Sequence, residues 1–370
     1  MTAPHVMLVN GSLFGGGAEH VIATLARHLR DMGHPVTIAT VHPGGELLAQ
    51  LKAERFDVVN TVGAGGSSTS SNLRRAIIER CVNIVHSHDV RSLIDVGLCR
   101  LRSRRFAHMH TFHFGNYPFV PWKHLLMETV AARVPDQLVA VGNQQGGSIV
   151  KTLRLSPARI RTIWNGVDYV GRPAPAGVEQ GTPVPRIGSV STFGAQKGLP
   201  TLLQAARIVR QRGLNFRLVL VGEGPMRREP EAMAAEFGLS ECVEFTGWKP
   251  DAAATLLPTF DIFVQSSYWE AMSVVILEAM AARRPIVATN VGENAAVLAN
   301  GESALLVPPK DAEALANGLA RVIEDTALRV RLAETAHATY LSRFTGRAMA
   351  DRYATAYGEC LAARGLGAAQ

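Results

Sequence analysis

The sequence predicts an α/β protein of two domains, each a parallel sheet covered on both faces by helices. Three observations carry that expectation. Short apolar runs alternate with stretches whose apolar residues recur at helical spacing. Residues 170–185, VGRPAPAGVEQGTPVP, interrupt the alternation with four prolines and three glycines and no periodicity, as a linker does. Beyond them the same alternation restarts. A chain of 370 residues, 47% hydrophobic and 19% charged, is long enough to bury a core in each half.

Taken in order, HVMLVN reads as a buried strand and GSLFGGG as the loop after it. AEHVIATLARHLRDMG is a helix on the spacing of Val21, Ile22, Leu25, Ala26 and Leu29, and Gly33 ends it. PVTIAT, VNIVHS, RFAHMHT and DQLVAVG are further strands, and VGAGGSSTSS (62–71) reads as a flexible loop. In the second half RIGSVS is a strand, TFGAQKG a loop and LPTLLQAARIVRQRG a helix. FRLVLVG, CVEFTG, DIFVQS, RPIVAT and SALLVP continue the pattern, and the last 40 residues read as helical. The expected division is 1–169, a linker 170–185, 186–345, and a C-terminal helix 346–370 that returns to the first domain.

A net charge of +7 favours an anionic partner, whether phosphate, nucleic acid or an acidic membrane surface. With 6% aromatics and no recognition motif, a nucleic-acid-binding protein has little support. Cys81, Cys99, Cys242 and Cys360 show no C-x-x-C or metal spacing, which fits a reduced, cytoplasmic setting. The N-terminal residues lack the pattern of a signal peptide, and no run approaches a membrane span. Contact with a membrane would therefore be peripheral.

Several short motifs could carry chemistry. Gly15, Gly16 and Gly17 lie between a strand and a helix, where glycine lets backbone approach a ligand; a tight turn would need them equally. Lys197, in QKG, could sit on a diphosphate as a point charge. Gly222, in VGEGP, lies at the C-terminal end of a strand, where ligands bind open parallel sheets. His86, His88, His108, His110 and His113 cluster in VHSHD and HMHTFH. Zinc ligation is conceivable, but no cysteine or H-E-x-x-H spacing supports it; one or two of the five would point into a cleft and the others would be structural. There is no D-x-D pair to hold a metal beside a nucleotide.

The stretch YWEAMSVVILEAM (268–280) is the most informative. Ser273 is a plausible N-cap of the helix that follows, so Glu270 falls in the preceding loop and Glu278 about a turn and a half inside. Glu278 is flanked by Val274, Val275, Ile276, Leu277 and Met280, and a carboxylate among apolar residues needs a partner. Sugar or ribose hydroxyls are suitable donors, and the N–H groups near Ser273 could face a phosphate.

SSYWEAMSVVILEAMAARRPIVATNVGENAAVL resembles the E-x7-E region of family 4 glycosyltransferases, retaining enzymes of the GT-B fold. GGGAEHVIATLARHLRDMGHPVTIAT, VNIVHSHD, HTFH, DQLVAVG, IWNGVD, AQKGLPTLLQA, LVLVGEGP and VEFTGW follow in the family's order over nearly the whole chain. The resemblance implies two Rossmann-like domains facing each other across a cleft, with a nucleotide-sugar donor, UDP- or GDP-linked, on the second. It implies that Glu278 bonds the ribose. Glu270 would hold hydroxyls of the transferred sugar, aided by the backbone of Ala271, Met272 and Ser273. Lys197 would neutralise the diphosphate. Gly16 and Gly17 would meet the donor phosphates, Gly247 and Trp248 the base, and His113 the reaction centre. Such enzymes need no metal or other cofactor.

The chain departs from the family in three places. Thr192 stands where an arginine is usual, Ala271 where glycine is usual, and VGENAAVL where a G-G-x-x-E pattern is usual. Residues 72–105 hold eight arginines against Glu79, Asp89 and Asp95, so an anionic membrane surface or a phosphorylated, lipid-linked or core saccharide is an expected partner, with a merely solvated surface as the alternative. The expected function is transfer of a sugar to a saccharide or lipid-linked acceptor in surface-glycan, lipopolysaccharide or glycolipid synthesis. A sugar-nucleotide epimerase of the same fold, or a catalytically weak relative, is the alternative.

Overall fold

A computed structural model describes residues 3–62, 69–114, 121–169 and 184–366. The chain forms two compact units, residues 1–167 with 346–370, and 168–345. Most of the expected linker, 170–183, lies outside the described residues.

The first unit runs β1 (Val6–Asn10), α1 (Gly17–Asp31), β2 (Val36–Thr40), α2 (Glu46–Ala53), β3 (Asp57–Asn60), α3 (Thr69–Glu79), β4 (Ile84–Ser87), α4 (Val90–Arg102), β5 (Ala107–Phe112), α5 (Trp122–Ala131), β6 (Gln137–Ala140), α6 (Asn143–Leu153) and β7 (Ile160–Thr162). Its seven strands are all parallel, in the order β3-β2-β1-β4-β5-β6-β7. Strands buried on both faces carry unbroken apolar runs, and β1 (Val6, Met7, Leu8, Val9) is fully buried. β3 and β7 are the strands that hydrophobic patterning did not single out. Both are short edge strands with half-exposed residues, so neither has the uninterrupted apolar run of a central strand.

The second unit runs β8 (Arg186–Val190), α7 (Leu199–Gln211), β9 (Arg217–Val221), α8 (Arg228–Glu236), β10 (Val243–Gly247), α9 (Ala252–Thr255), β11 (Ile262–Gln265), α10 (Val274–Ala281), β12 (Ile286–Thr289), α11 (Asn294–Val297), β13 (Leu305–Val307), α12 (Ala312–Glu324) and α13 (Thr326–Arg343). Its six parallel strands follow β10-β9-β8-β11-β12-β13. One apolar cluster, including Leu202, Leu218, Val264 and Leu319, joins this sheet to α7 and α12. The last helix, α14 (Gly346–Ala363), packs on α1 in the first unit. There Tyr357 and Tyr353 bond His86 and Thr111.

One expectation is corrected. Residues 69–71 belong to α3 rather than to a loop over 62–71, and 63–68 lie outside the described residues. Serine and threonine are as much at home in a first helical turn as in a loop, so composition could not separate the two. Among the described residues no helix is long and apolar enough to cross a membrane.

Candidate functional site

In each unit the strand order reverses beside the first strand: β1 and β4 in one, β8 and β11 in the other. At such a switch point the loops leaving the C-terminal ends of the two strands diverge, and a crevice opens between them. The second unit places Lys197 and Glu270 in its two switch-point loops.

Residues 195–197 form a single 3-10 turn between β8 and α7, and Lys197 closes it. Its ammonium donates to Glu270 Oε1 at 2.6 Å, and Ser267 Oγ donates to the same oxygen at 2.7 Å. The two loops are also tied through backbone. Tyr268 N–H donates to the Gln196 carbonyl at 2.7 Å, and Ser266 Oγ to the Lys197 carbonyl at 2.9 Å. Both members of the ion pair are largely but not wholly buried. Their charges therefore interact more strongly than a surface pair would, yet remain open to a ligand.

Ser273 occupies the N-cap position of α10, but its hydroxyl makes no cap bond. It accepts instead from Gln265 Nε2 at 2.6 Å. Gln265 Oε1 in turn accepts from Asn294 Nδ2 at 2.9 Å, Asn294 also donates to the Thr289 carbonyl, and Thr289 Oγ1 donates to the Ser267 carbonyl. This buried chain of polar groups fixes the Glu270 loop from beneath, leaving its N-cap oxygen unavailable to the helix. Gln265, Thr289 and Asn294 were not singled out from sequence. The one signal was a glutamine closing the otherwise apolar strand IFVQ.

The segment VGENAAVL has a definite role here. Gly292 has φ +51°, and a Cβ on it would lie 2.2 Å from the Glu270 carbonyl oxygen and 2.6 Å from that of Ala271. Glu293 N–H donates to the Ala271 carbonyl at 3.0 Å. The segment thus presses backbone to backbone on the Glu270 loop. Ala271 itself is buried, with no positive φ, so the glycine usual at that position is not required by this backbone.

Glu278 sits five residues past Ser273, roughly 7 Å along the α10 axis. Among the described residues its carboxyl has no hydrogen-bond partner, and burial pushes it up to about 7. The Tyr169 hydroxyl lies within electrostatic reach of Glu278 on one side and of the Arg284 guanidinium on the other. Arg284 donates to the Phe260 and Ala282 carbonyls, while its Nη2 and the Tyr169 hydroxyl are buried without a hydrogen-bond partner among the described residues. An unsatisfied buried hydroxyl, Tyr169, near a carboxyl that has no hydrogen-bond partner among the described residues is what a polar-ligand site leaves when empty of its ligand's groups.

The remaining expected donor residues of this unit lie on the other side of β8. Gly222, at the end of β9, has φ +143°, and a Cβ there would lie 1.8 Å from the Ser191 carbonyl oxygen. What glycine accommodates at this position is the neighbouring loop. Gly222 N–H donates to the Gly247 carbonyl, which brings Gly247 and the exposed Trp248 beside it. Arg227 forms ion pairs with Glu223 and Glu231 in the same region. Thr192 is exposed after β8 and supplies no cation. A second ammonium near the Glu270 loop comes from Lys310, 5.3 Å over the Tyr268 ring.

In the first unit Gly16 precedes α1 and Gly17 opens it. The N–H groups of Gly15 and Gly16 both donate to Glu19 Oε2, at 2.6 and 3.0 Å. An anion approaching this loop meets a carboxylate already in place. Opposite, Asp89 caps α4 by accepting from Ser92 N–H at 2.7 Å and also accepts from Gly11 N–H, which joins the loops after β1 and β4.

The histidines divide by position. His86, His108 and His110 are inside the sheet: His86 bonds Tyr357 and Thr111, and Ser87 Oγ bridges His108 Nε2 and His110 Nδ1. His88 and His113 lie past the ends of β4 and β5 and meet each other, Nδ1 to Nε2, at 3.0 Å. Burial lowers all five, His110 to about 3 and His113 to about 4, so each ring is neutral near pH 7. Among the described residues no three His, Cys, Asp or Glu side chains are arranged to hold a metal.

Two family models match the chain: Glycosyltransferase Family 4 over residues 15–169, and Glycosyl transferases group 1 over residues 178–339. The lipopolysaccharide core biosynthesis glycosyltransferase LpsD of Rhizobium meliloti is 32% identical over 264 residues, 69% of this chain and 72% of its own. LpsE of the same organism is 35% identical over 169 residues, and that match spans 46% of this chain and about half of LpsE, 48%. Anabaena HepE, solved in complex with UDP and glucose, superposes with a TM-score of 0.85 over 96% of this chain and 100% of its own. At 19% identity that likeness shows the fold.

Proposed function

The chain belongs to glycosyltransferase family 4, and from that premise we propose that it is a retaining hexosyltransferase taking its sugar from a UDP- or GDP-sugar. The acceptor in this reading is a saccharide or lipid-linked glycan of a surface polysaccharide, lipopolysaccharide core or glycolipid, met at an anionic membrane surface. The observation that carries the reading is the Lys197–Glu270 pair at the second unit's switch point, with the Glu278 carboxyl, which has no hydrogen-bond partner among the described residues, on the following helix. LpsD and LpsE, named for lipopolysaccharide core biosynthesis, support the acceptor class, and the UDP and glucose bound to HepE support the donor class.

Each group then has a part. Lys197 turns from Glu270 to the donor diphosphate and stabilises the charge that grows on it as the glycosidic bond breaks. Glu270, released, accepts hydrogen bonds from hydroxyls of the sugar, while the buried Ser273–Gln265–Asn294 chain keeps its loop in place. Glu278 accepts from the ribose hydroxyls. His113, neutral and bonded to His88, touches the sugar at the reaction centre. The acceptor hydroxyl attacks from the face the leaving phosphate departs, and that phosphate takes its proton; no covalent enzyme intermediate and no metal are required.

A thermal-shift screen of nucleotide-sugars tests the donor. Stabilisation by one sugar nucleotide, lost in Lys197→Ala and Glu278→Ala, is expected; no stabilisation by any would overturn the assignment. Incubation of that donor without acceptor separates the epimerase alternative, which alone would produce an epimeric nucleotide-sugar.

A further inference from the structure

We propose that His88 is a positioning residue: its Nδ1–H donates to His113 Nε2 and so fixes His113 as the tautomer that carries its proton on Nδ1. His113 then meets the sugar as a hydrogen-bond donor and cannot serve as a base. The proposal rests on the transferase reading only for what His113 touches; the place of the proton follows from the first unit alone.

The first observation is the contact itself. β4 and β5 are parallel neighbours with Ser87 opposite His110, so His88 and His113, which follow the two strands, emerge at the same end of the sheet. Their ring centres are 5.2 Å apart and their planes 28° apart, while His88 Nδ1 lies 3.0 Å from His113 Nε2. The distance between centres is close to the nitrogen separation plus one ring radius on each side. The rings therefore meet edge to edge, as an N–H···N bond requires, rather than face to face. His88 is also backed by an anchored ring. His86 lies 4.0 Å from it, centre to centre, and both His86 nitrogens are engaged, by Tyr357 and Thr111.

The second observation is a proton count. Burial keeps both rings neutral, and the groups acting on His88 are the other histidines His86, His113 and His110, with no carboxylate among them. Each ring then has one N–H and one lone pair, and the contact uses one of each. His88 Nε2 is buried and has no hydrogen-bond partner among the described residues. If His113 were the donor, His88 would keep its own proton on Nε2, as a buried N–H without an acceptor. With His88 as donor, Nε2 is only a bare lone pair. An orphaned buried N–H is the rarer defect in folded proteins, so the bond runs from His88 to His113. His113 is left with its lone pair spent and its proton on Nδ1. Among the described residues Nδ1 has no hydrogen-bond partner, so it is the group able to donate to a sugar hydroxyl or to the leaving oxygen. A base at this point would need the spent lone pair, which accords with the departing phosphate as proton acceptor.

The test begins on the full chain without ligand, isotopically labelled at the histidine nitrogens. Proton–nitrogen correlation spectra near neutral pH identify His113 by the signals that His113→Asn removes. A proton on His113 Nδ1 is expected; a proton on Nε2 would overturn the proposal. His88→Asn keeps an N–H where Nδ1 stood and should preserve that tautomer, while His88→Leu should release His113 into a mixture of both. A leucine variant whose His113 signals match the parent's would also overturn it. Turnover is read as release of nucleoside diphosphate from the sugar nucleotide that the thermal-shift screen selects. Freeing one ring from a fixed orientation and tautomer should lower kcat about tenfold in His88→Leu at unchanged KM, with His88→Asn within about threefold of the parent. Equal losses in the two variants would show that His88 only packs, and would sink the positioning role. The spectra of the parent need neither a variant at His88 nor a donor, so the tautomer and the transferase reading can each fail alone.

Discussion

Glu278→Gln should make this protein more stable near neutral pH while weakening its grip on the donor. The carboxyl has an ordinary value of 4.5 and is pushed up to about 7 in the fold, because protein packed around it disfavours the ionised form. The sign follows from proton counting. Below about 4.5 the group is protonated in both states and contributes nothing; between the two values the native state holds the extra proton; above about 7 ionisation carries its full cost. A difference of about 2.5 units at 1.36 kcal/mol per unit is roughly 3.4 kcal/mol. Part of the side chain still reaches water, so about 2 kcal/mol is the working value. For a unit of this size that corresponds to roughly 5 °C in melting temperature. The assay is thermal unfolding of the parent and the glutamine variant at about pH 8 and about pH 5. Stabilisation at the higher pH that fades at the lower is expected, together with a 10- to 100-fold loss of donor affinity, the worth of about one or two charge-assisted hydrogen bonds. A variant that is destabilised, or shifted equally at both pH values, would refute a desolvated, partnerless carboxylate.

Gly292→Ala should cost about 2 kcal/mol or more in chemical denaturation and abolish donor stabilisation, because its Cβ would stand 2.2 Å from the Glu270 carbonyl oxygen; an unchanged midpoint would show that the loop yields freely. Lys197→Met leaves the Glu270 carboxylate unpaired and should cost about 1–3 kcal/mol. Adding Glu270→Gln should recover most of that stability but no donor binding, and strictly additive losses in the double-mutant cycle would argue against coupling. In the first unit the pH response runs the other way. His110 and His113 are lowered by burial to about 3 and about 4 from 6.5, so stability present above 6.5 is lost as pH falls toward those values. Each should cost about 1.4 kcal/mol at about pH 5.5, and flat unfolding midpoints between about pH 7.5 and 5.5 would contradict neutral buried rings.

Much of the architecture was open to reading because central parallel strands must be apolar on both faces. Runs such as HVMLVN and DIFVQS announce themselves, and the restart after residue 185 separates the two sheets. The edge strands β3 and β7 escaped because half of each faces water. At the site, residue types and spacing distinguished Glu270, Glu278 and Lys197, since carboxylates and a lysine are conspicuous among glycines and valines. Spacing along the chain carries no information about which of them touch.

By itself, then, the sequence determined the two parallel sheets, the family, and the charged residues committed to the second unit's switch point. Tertiary structure decided how those charges are held. It paired Lys197 with Glu270 across 73 positions, left Glu278 without a hydrogen-bond partner among the described residues, and took the Ser273 hydroxyl away from its helix to serve Gln265. It also laid Glu19 over the glycine loop and set the Gly292 turn against the Glu270 carbonyl. The physical reason is that apolar patterning is a local property of the chain. The partner of a polar group depends on which loops the strand order brings side by side, and on which of them burial leaves without water.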